Sequence, residues 1–443
     1  MSEVIRKQAR KTLLTISTLI LAFNYVDRQV LALVLQSIKT DLNVSDTQLG
    51  FLSGIAFAAF YAVMGIPIAR LADRGDRVKI ISITAAVWSV FVAMCGATAS
   101  FAQLFLIRVG VAVGEAGCIP PAQSLLSEFF PRAERARAFA IYSLGIPLSV
   151  ILGGFLAGWI NQYFGWRATF VMVGCPGVVL SLLAWFLLRE PRRFGHRGSA
   201  PGSSAVQLAA GLPAREPIII APPAQQSLKD TVWILAQNAT FRHLLFAQIV
   251  LYFFLYGVVV QWQPTFFIRT FALSTGEIGT WQLLSWALMG TIGMYAGGAI
   301  VHRFMANNER LQLRLMAITI SIYGMLNILI YLSSHRYWAL GLTVIAAPFY
   351  NCIFGPMYAV TQSVVPGRFR AIAVALTQFF ANLIGMGLGG LAVGMLSDAL
   401  TATRGSAALG YALLCLSPGF FWVAIHFWLA SRTAMSDIEK AHQ

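Results

Sequence analysis

Along most of its length the chain repeats one pattern: an apolar run of about twenty residues, then a short polar break. That run length is what a helix rising about 1.5 Å per residue needs to span a bilayer's hydrocarbon core. Twelve runs predict transmembrane helices over 12–37, 48–69, 80–101, 103–128, 136–162, 168–188, 242–268, 278–302, 312–333, 337–363, 371–396 and 407–430. Between Arg189 and Ser227 the pattern gives way to Pro, Gly, Ser, Ala and Arg, the composition of a linker. The chain thus divides into a six-helix bundle over 1–188, a linker over 189–241 and a second six-helix bundle over 242–443. Near the linker's end, SLKDTVWILAQNATF puts Leu228, Val232, Leu235 and Ala236 on one helical face, predicting a short helix at the cytoplasmic surface.

Composition agrees: 58% of residues are hydrophobic and 11% charged, against about 25% charged in soluble domains. With both termini cytoplasmic, the inner segments hold 25 of the 32 Lys and Arg residues; the outer loops hold Lys39, Arg167, Arg269, Arg336 and Arg404, and Arg28 and Arg108 lie within helices. This asymmetry orients a multi-pass protein of the cell (inner) membrane with both termini inside. The net charge of +15 is spread over every cytoplasmic loop without an aromatic-interleaved patch, so it reflects topology and anionic lipid, not nucleic acid. The first apolar run is longer than a signal peptide's core and lacks a small-residue cleavage site, so it reads as an uncleaved helix. Cys95, Cys118, Cys175, Cys352 and Cys415 each stand alone within a predicted helix, as packing residues do, with no metal or disulfide spacing. Asn238-Ala239-Thr240 matches a glycosylation acceptor, but on the cytoplasmic side that match is accidental. No phosphate loop, metal-ligand set or nucleophile–base spacing occurs, which argues against an enzyme and leaves an ion gradient as the energy source for any transport that is not passive.

The run LLTISTLILAFNYVDRQVLALVLQSI carries Asp27 and Arg28 at its middle, and the fourth predicted helix carries Arg108 and Glu115. A charge at the bilayer centre costs about 2.5–3.5 kcal/mol and persists only where it meets a partner or a cavity. Counted from the outer surface at about 1.5 Å per residue, Arg108 lies about 8 Å deep, Asp27 and Arg28 about 13 Å, and Glu115 about 18 Å. Arg108 and Glu115, seven residues apart, share one helix face, about 10 Å from each other. The predicted helices of the second bundle contain no Asp, Glu or Lys, and among their Arg and His only His426 lies away from an end.

After the second helix comes GIPIARLADRGDRVK, with Asp73, Arg74, Arg77 and Lys79; after the eighth, GGAIVHRFMANNERLQLR is a degenerate copy with His302 where Asp73 would map. The fourth helix reads RVGVAVGEAG (Arg108, Gly110, Gly114, Gly117) and the fifth GIPLSVILGG (Gly145, Pro147, Gly153, Gly154). These residues resemble the major facilitator superfamily, although Gly65 stands eight residues before Asp73 and Ala69 occupies the usual glycine place. NYVDR with GEAG and a following proline looks like its spinster branch, associated with sphingosine phosphate and lysophospholipids.

The resemblance implies an all-α fold of twelve helices in two bundles around a central cavity, and transport by alternating access. Helix 1 facing helix 4 across that cavity would make the charges a ladder on one wall. Glu115, then Asp27, is the expected proton carrier, because an acid's proton affinity changes with its exposure to a base or to an apolar cavity. Arg108 and Arg28 are expected to receive an anionic head group, with Asn24 and Tyr25 beside them. Successive residues point about 100° apart, so only one of Asp27 and Arg28 need face the path. Asp73, Arg74 and Arg77 are expected to latch the cytoplasmic side in the outward-facing state, joined by Glu128, Arg135 and Arg137. In the second bundle Tyr252, Tyr256, Gln261, Trp262, Tyr350, Asn351, Tyr358, Gln378 and Asn382 offer an aromatic, neutral wall that suits an amphiphile. Each group also has a plainer reading: static ion pairs, a solvated loop, or bundle packing. The expectation is a monomeric, proton-coupled carrier of an amphiphilic lipid or organic anion in contact with membrane lipids; the alternatives are a general drug or organic-anion antiporter and a receptor with a transporter fold.

Overall fold

The computed structural model describes residues 3–191, 228–366 and 369–442, and among them every regular element is helical. Ten helical runs are long and apolar enough to cross a bilayer, and two are too long for one crossing: Arg137–Leu187 has 51 residues and Ile372–Lys440 has 69. Each folds back at a glycine with positive φ, 78° at Gly165 and 53° at Gly405, a region open to glycine but strained for other residues. The packing tracks both reversals. Before Gly165, Gly145 lies against Thr18 and Gly153 against Val26, parallel to the first helix; after it, Gly174 and Gly177 lie against Ala93 and Ser89, antiparallel to the third. Gly385 and Gly389 likewise ascend along Ile249 and Phe253, whereas His426 and Asp437 descend to His243 and Thr240. The chain therefore crosses twelve times, as the pattern predicted.

We number the crossings α1 (Glu3–Leu42), α2 (Asp46–Ser53, then Ile55–Arg74), α3 (Arg77–Cys95), α4 (Phe101–Glu115, then Ile119–Phe129), α5 (132–164) and α6 (166–187). The second set is α7 (Ala239–Tyr252 through Gln261–Phe271), α8 (Thr275–Gln282 through Gly290–Phe304), α9 (Glu309–Leu332), α10 (Arg336–Asn351, then Phe354–Ser363), α11 (Arg370–Phe380 through Gly387–Arg404) and α12 (Ala408–Leu416, then Gly419–His442). The two sets pack alike: α3 lies along α6 as α9 lies along α12, and α1 along α5 as α7 along α11. They are the two six-helix bundles.

Glycines let the bundles meet backbone to backbone at the face opposite the termini. Gly50 lies on Gly390 and Gly54 on Gly387 where α2 meets α11; Gly154 lies on Gly279 and Gly158 on Thr275 where α5 meets α8. Toward the face that carries the termini the seam parts: a Cβ on Gly65, Gly298 or Gly355 would meet no neighbouring element within 4 Å, and Val63, Ile66 and Leu71 of α2 are exposed. The central space is thus closed at one face and open at the other.

Several helix ends depart from the hydrophobic pattern. The second bundle's helices do contain acids and a lysine: Glu277, Glu309, Asp398, Asp437, Glu439 and Lys440 lie on α8, α9, α11 and α12, which run past the predicted ends, with capping and inter-bundle hydrogen bonds holding polar turns of α8 and α11 in helical form. Most of the expected linker lies outside the described residues. Its last part forms the short helix Leu228–Gln237, in which Thr231 and Leu235 are buried against the protein while Val232 and Ala236 are exposed. Asn238 follows as the cap of α7: its Oδ1 accepts from the Phe241 amide and its Nδ2 donates to the Val364 carbonyl.

Candidate functional site

Close packing on both flanks fixes how α1 and α4 face each other. A Cβ on Gly114 would approach the Trp88 Cβ and amide nitrogen to 2.7 Å, and Gly110 and Gly117 sit as tightly on Phe91 and Thr84, so one face of α4 is pressed on α3. A Cβ on Gly153 would come within 2.7 Å of the Val26 carbonyl oxygen, so α5 holds α1 equally closely. The remaining faces turn Asp27, Arg28, Arg108 and Glu115 toward one another.

They form two ion pairs rather than an open ladder. Arg108 Nη1 donates to both Asp27 oxygens at 2.6 and 2.7 Å, and Arg28 Nη2 donates to Glu115 Oε2 at 3.0 Å. Both Asp27 and Arg28 thus have a partner on α4, and of the two only Arg28 is partly exposed. Side chains lean toward a helix's N-terminus, so the long Arg28 reaches inward to Glu115 while Asp27 meets Arg108 nearer the opposite face. Burial separates the pairs: the side chains of Arg108 and Asp27 are 2% and 1% exposed, and Glu115 is fully buried, but Arg28 is 21% exposed. Glu115 closes the first half of α4, where the helix breaks before Pro120 and Pro121, and its Oε1 has no hydrogen-bond partner among the described residues.

An aromatic cage, of which the sequence singles out only Tyr25, surrounds this network. The Arg28 guanidinium carbon lies 4.7 Å from the Phe57 ring centroid, 5.2 Å from Tyr25 and 5.3 Å from Tyr61, and that of Arg108 lies 5.2 Å from the same Phe57 ring. Such contacts contribute about 0.5–2 kcal/mol each and stabilise a cation with little water around it. The one available signal was the i, i+4 spacing of Phe57 and Tyr61, which puts both rings on one face of α2. Asn24 is buried beside the network with no hydrogen-bond partner for its amide among the described residues.

The second bundle supplies the facing wall. Tyr252 and Tyr256 pack with ring centroids 4.7 Å apart, and Tyr256 stands within electrostatic range of Tyr25 and Arg28. Gln248 Nε2 donates to Gln378 Oε1 at 2.8 Å and Gln378 Nε2 to the Tyr358 hydroxyl at 2.9 Å. Asn351 and Asn382 spend an amide donor on their own helices, at Ala347 and Gln378. Trp262 is fully buried and donates to the Gly390 carbonyl, so it belongs to the α7–α11 packing, and Tyr350 packs between Tyr323 and Trp286 inside its bundle.

At the terminal face Arg77 is buried and bonds Glu190 at 2.6 Å, Glu128 at 2.5 Å and Ser124 at 2.9 Å, tying α3 and α4 to the end of α6. Glu190 was not foreseen. Arg74 and Arg137 are exposed, and Arg135 donates to the Phe130 carbonyl, so neither Arg135 nor Arg137, both near the start of α5, joins the Arg77 cluster. The side chain of Asp73 lies outside the described residues.

Residues 18–390 match the family model described as Major Facilitator Superfamily. The chain belongs to that superfamily. It is 31% identical over 419 residues to an MFS-type efflux pump of Mycolicibacterium smegmatis, covering 94% of this chain and 91% of the relative. It is 24% identical over 368 residues to a hexuronate transporter of Bacillus subtilis, covering 82% of each. A crystal structure of a bacterial homologue of the human lysosomal transporter Spinster, in an inward-facing and unoccupied conformation, superposes with a TM-score of 0.81 at 29% identity over 99% of both chains. This member of the superfamily is therefore of spinster type, a multi-pass membrane transporter and not an enzyme.

Proposed function

We propose that the protein is a proton-coupled secondary transporter of the cell (inner) membrane, with cytoplasmic termini, that moves a lysophospholipid, a sphingosine-phosphate-like lipid or a comparable organic anion by alternating access. Glu115 carries this reading: one oxygen rests on Arg28, the other is unpartnered, and Arg28 alone in the network is partly exposed. A proton on Glu115 removes the charge that holds Arg28 and frees its planar fork for a phosphate or carboxylate. Proton and anion thus favour each other's binding, and by linkage they move in the same direction. The rings of Tyr252, Tyr256 and Tyr358 suit the apolar part of such a substrate. Asp73, Arg74 and Arg77 serve as the cytoplasmic latch when that face closes, and the protein works as a monomer.

The relative named an efflux pump favours a second reading, a general drug antiporter. An organic cation would replace the proton at Glu115, so cation and proton would move in opposite directions. Liposomes with an imposed pH gradient separate the two: lysolipid accumulating on the side toward which protons flow supports the first, and organic cation accumulating on the other side supports the second. Equal transport rates and pH dependence in Glu115→Gln, Asp27→Asn and the unmodified chain would show that neither acid couples to protons.

A further inference from the structure

We propose that Asp46 and Arg269 form a clasp between the two bundles, at the face opposite the termini, whose strength sets how often that face opens. Asp46 begins α2 in the first bundle and Arg269 ends α7 in the second. Asp46 is almost fully buried. Its two oxygens each accept from one terminal nitrogen of Arg269, both at 2.7 Å. Lys39 of α1 adds a 2.6 Å bond and Ser397 of α11 another 2.6 Å bond to the same carboxylate. Arg269 Nε donates back across the seam to Gln36 of α1 at 2.6 Å. A second acid works in the reverse direction: Asp398 of α11 accepts from the backbone amides of Asp46 and Thr47 at 3.1 and 2.7 Å. Those amides belong to the first turn of α2, where unpaired N–H groups and the positive end of the helix dipole favour an anion.

Each bundle thus sends one acid into the other, and the charges of Asp46, Asp398, Lys39 and Arg269 cancel. The clasp stands over the glycine seam between α2 and α11, where Gly394 lies on the Asp46 backbone and Gly50 on Gly390. Any opening of this face must part Asp46 from Arg269 and Asp398 from the first turn of α2. The parted groups would meet water, so the clasp is reversible. Asp46→Asn acts differently, because the closed state then holds Lys39 and Arg269 side by side in a nearly dry site with one acid fewer. The closed face loses its advantage and the open form gains.

This inference rests on the alternating-access reading, and the test separates the two. In the full-length chain in nanodiscs, with exposed or half-buried Cys175, Cys352 and Cys415 replaced by serine, spin labels are placed at Thr40→Cys and Thr403→Cys, on the ends of α1 and α11 at the clasped face. A second sample carries Leu71→Cys and Gln362→Cys, at the terminal-face ends of α2 and α10. All four positions are exposed. The electron–electron distance distribution is measured without substrate or gradient, so an error in substrate or coupling ion leaves the result intact. Asp46→Asn and Arg269→Gln are expected to raise the ratio of long to short distances in the 40/403 pair at least about tenfold, the equivalent of about 1.4 kcal/mol, and to shorten the 71/362 pair. Asp398→Asn, which keeps the Asp46–Arg269 pair, gives a weaker shift of the same sign and serves if the other variants do not fold. Lengthening at 40/403 with no change at 71/362 supports the clasp and overturns reciprocal rocking. Unchanged 40/403 distances in all three variants overturn the clasp.

Discussion

Arg108 and Asp27 are both nearly inaccessible to water and bonded to each other at 2.6 and 2.7 Å, and their single substitutions should behave differently with pH. Breaking a buried pair by removing one partner costs about 3–5 kcal/mol, because an uncompensated charge stays behind. If the first bundle melts as one unit of about 190 residues, each kcal/mol lowers Tm by roughly 2–4 °C. The loss near pH 7.5 should therefore be on the order of 6–20 °C for Arg108→Gln and for Asp27→Asn. The two then diverge. Arg108→Gln orphans a carboxyl, which a proton can neutralise, so its deficit relative to the unmodified chain should shrink as pH falls toward 5. Asp27→Asn orphans a guanidinium, which no accessible pH neutralises, so its deficit should persist. The double variant should lose less than the sum of the singles, since the couple is removed together. Melting read with a thiol-reactive dye on buried Cys95 and Cys118, with the exposed or half-buried Cys175, Cys352 and Cys415 replaced by serine, suits the measurement, because both remaining thiols are buried in the folded bundle. Shifts below about 2 °C in both singles, or parallel pH profiles, would refute a dry, mutually dependent pair.

Phe57→Leu keeps apolar volume but removes the ring shared by Arg28 and Arg108; transport should fall about tenfold with Tm within a few degrees of the parent, as liposome uptake and melting will read. Gly114→Ala forces a Cβ into Trp88 and should cost roughly 1–3 kcal/mol, whereas Gly298→Ala, where a Cβ meets nothing within 4 Å, should leave Tm unchanged or slightly raised. Glu190→Gln should destabilise by roughly 2–4 kcal/mol, because it removes a buried acid from Arg77, and Glu128→Gln by less, since Glu128 is the more exposed partner; thermal melts of the two side by side decide the order.

Helix number was legible because bilayer thickness imposes one length on every crossing. The four buried charges were legible because lipid makes each one anomalous. Their pairing was not: Asp27 with Arg108 and Arg28 with Glu115 follows from the direction side chains lean and from the glycine faces that fix α1 against α5 and α4 against α3, and depth along an axis contains neither. Phe57 and Tyr61 were hidden because an aromatic residue in a transmembrane helix has no anomaly to betray it. Asp46 and Asp398 were missed for the opposite reason. They lie at helix ends, where an acid is ordinary, and only the meeting of α2 with α11 makes them partners. Glu190 went unnoticed at the edge of a linker-like stretch, although it completes the burial of Arg77.

The two bundles repeat one architecture but divide the labour unequally. Among the described residues, every ionic pair deep in the membrane belongs to α1 and α4, while the wall opposite, at Tyr252, Tyr256, Tyr358 and Gln378, is neutral. Substitutions on the neutral wall can reshape what the cavity accepts without touching the groups proposed to handle the proton, so one engine can be fitted to new cargoes during evolution. Selection for altered substrate range, applied to a library over those four positions, should yield variants that keep the parent's dependence on the pH gradient.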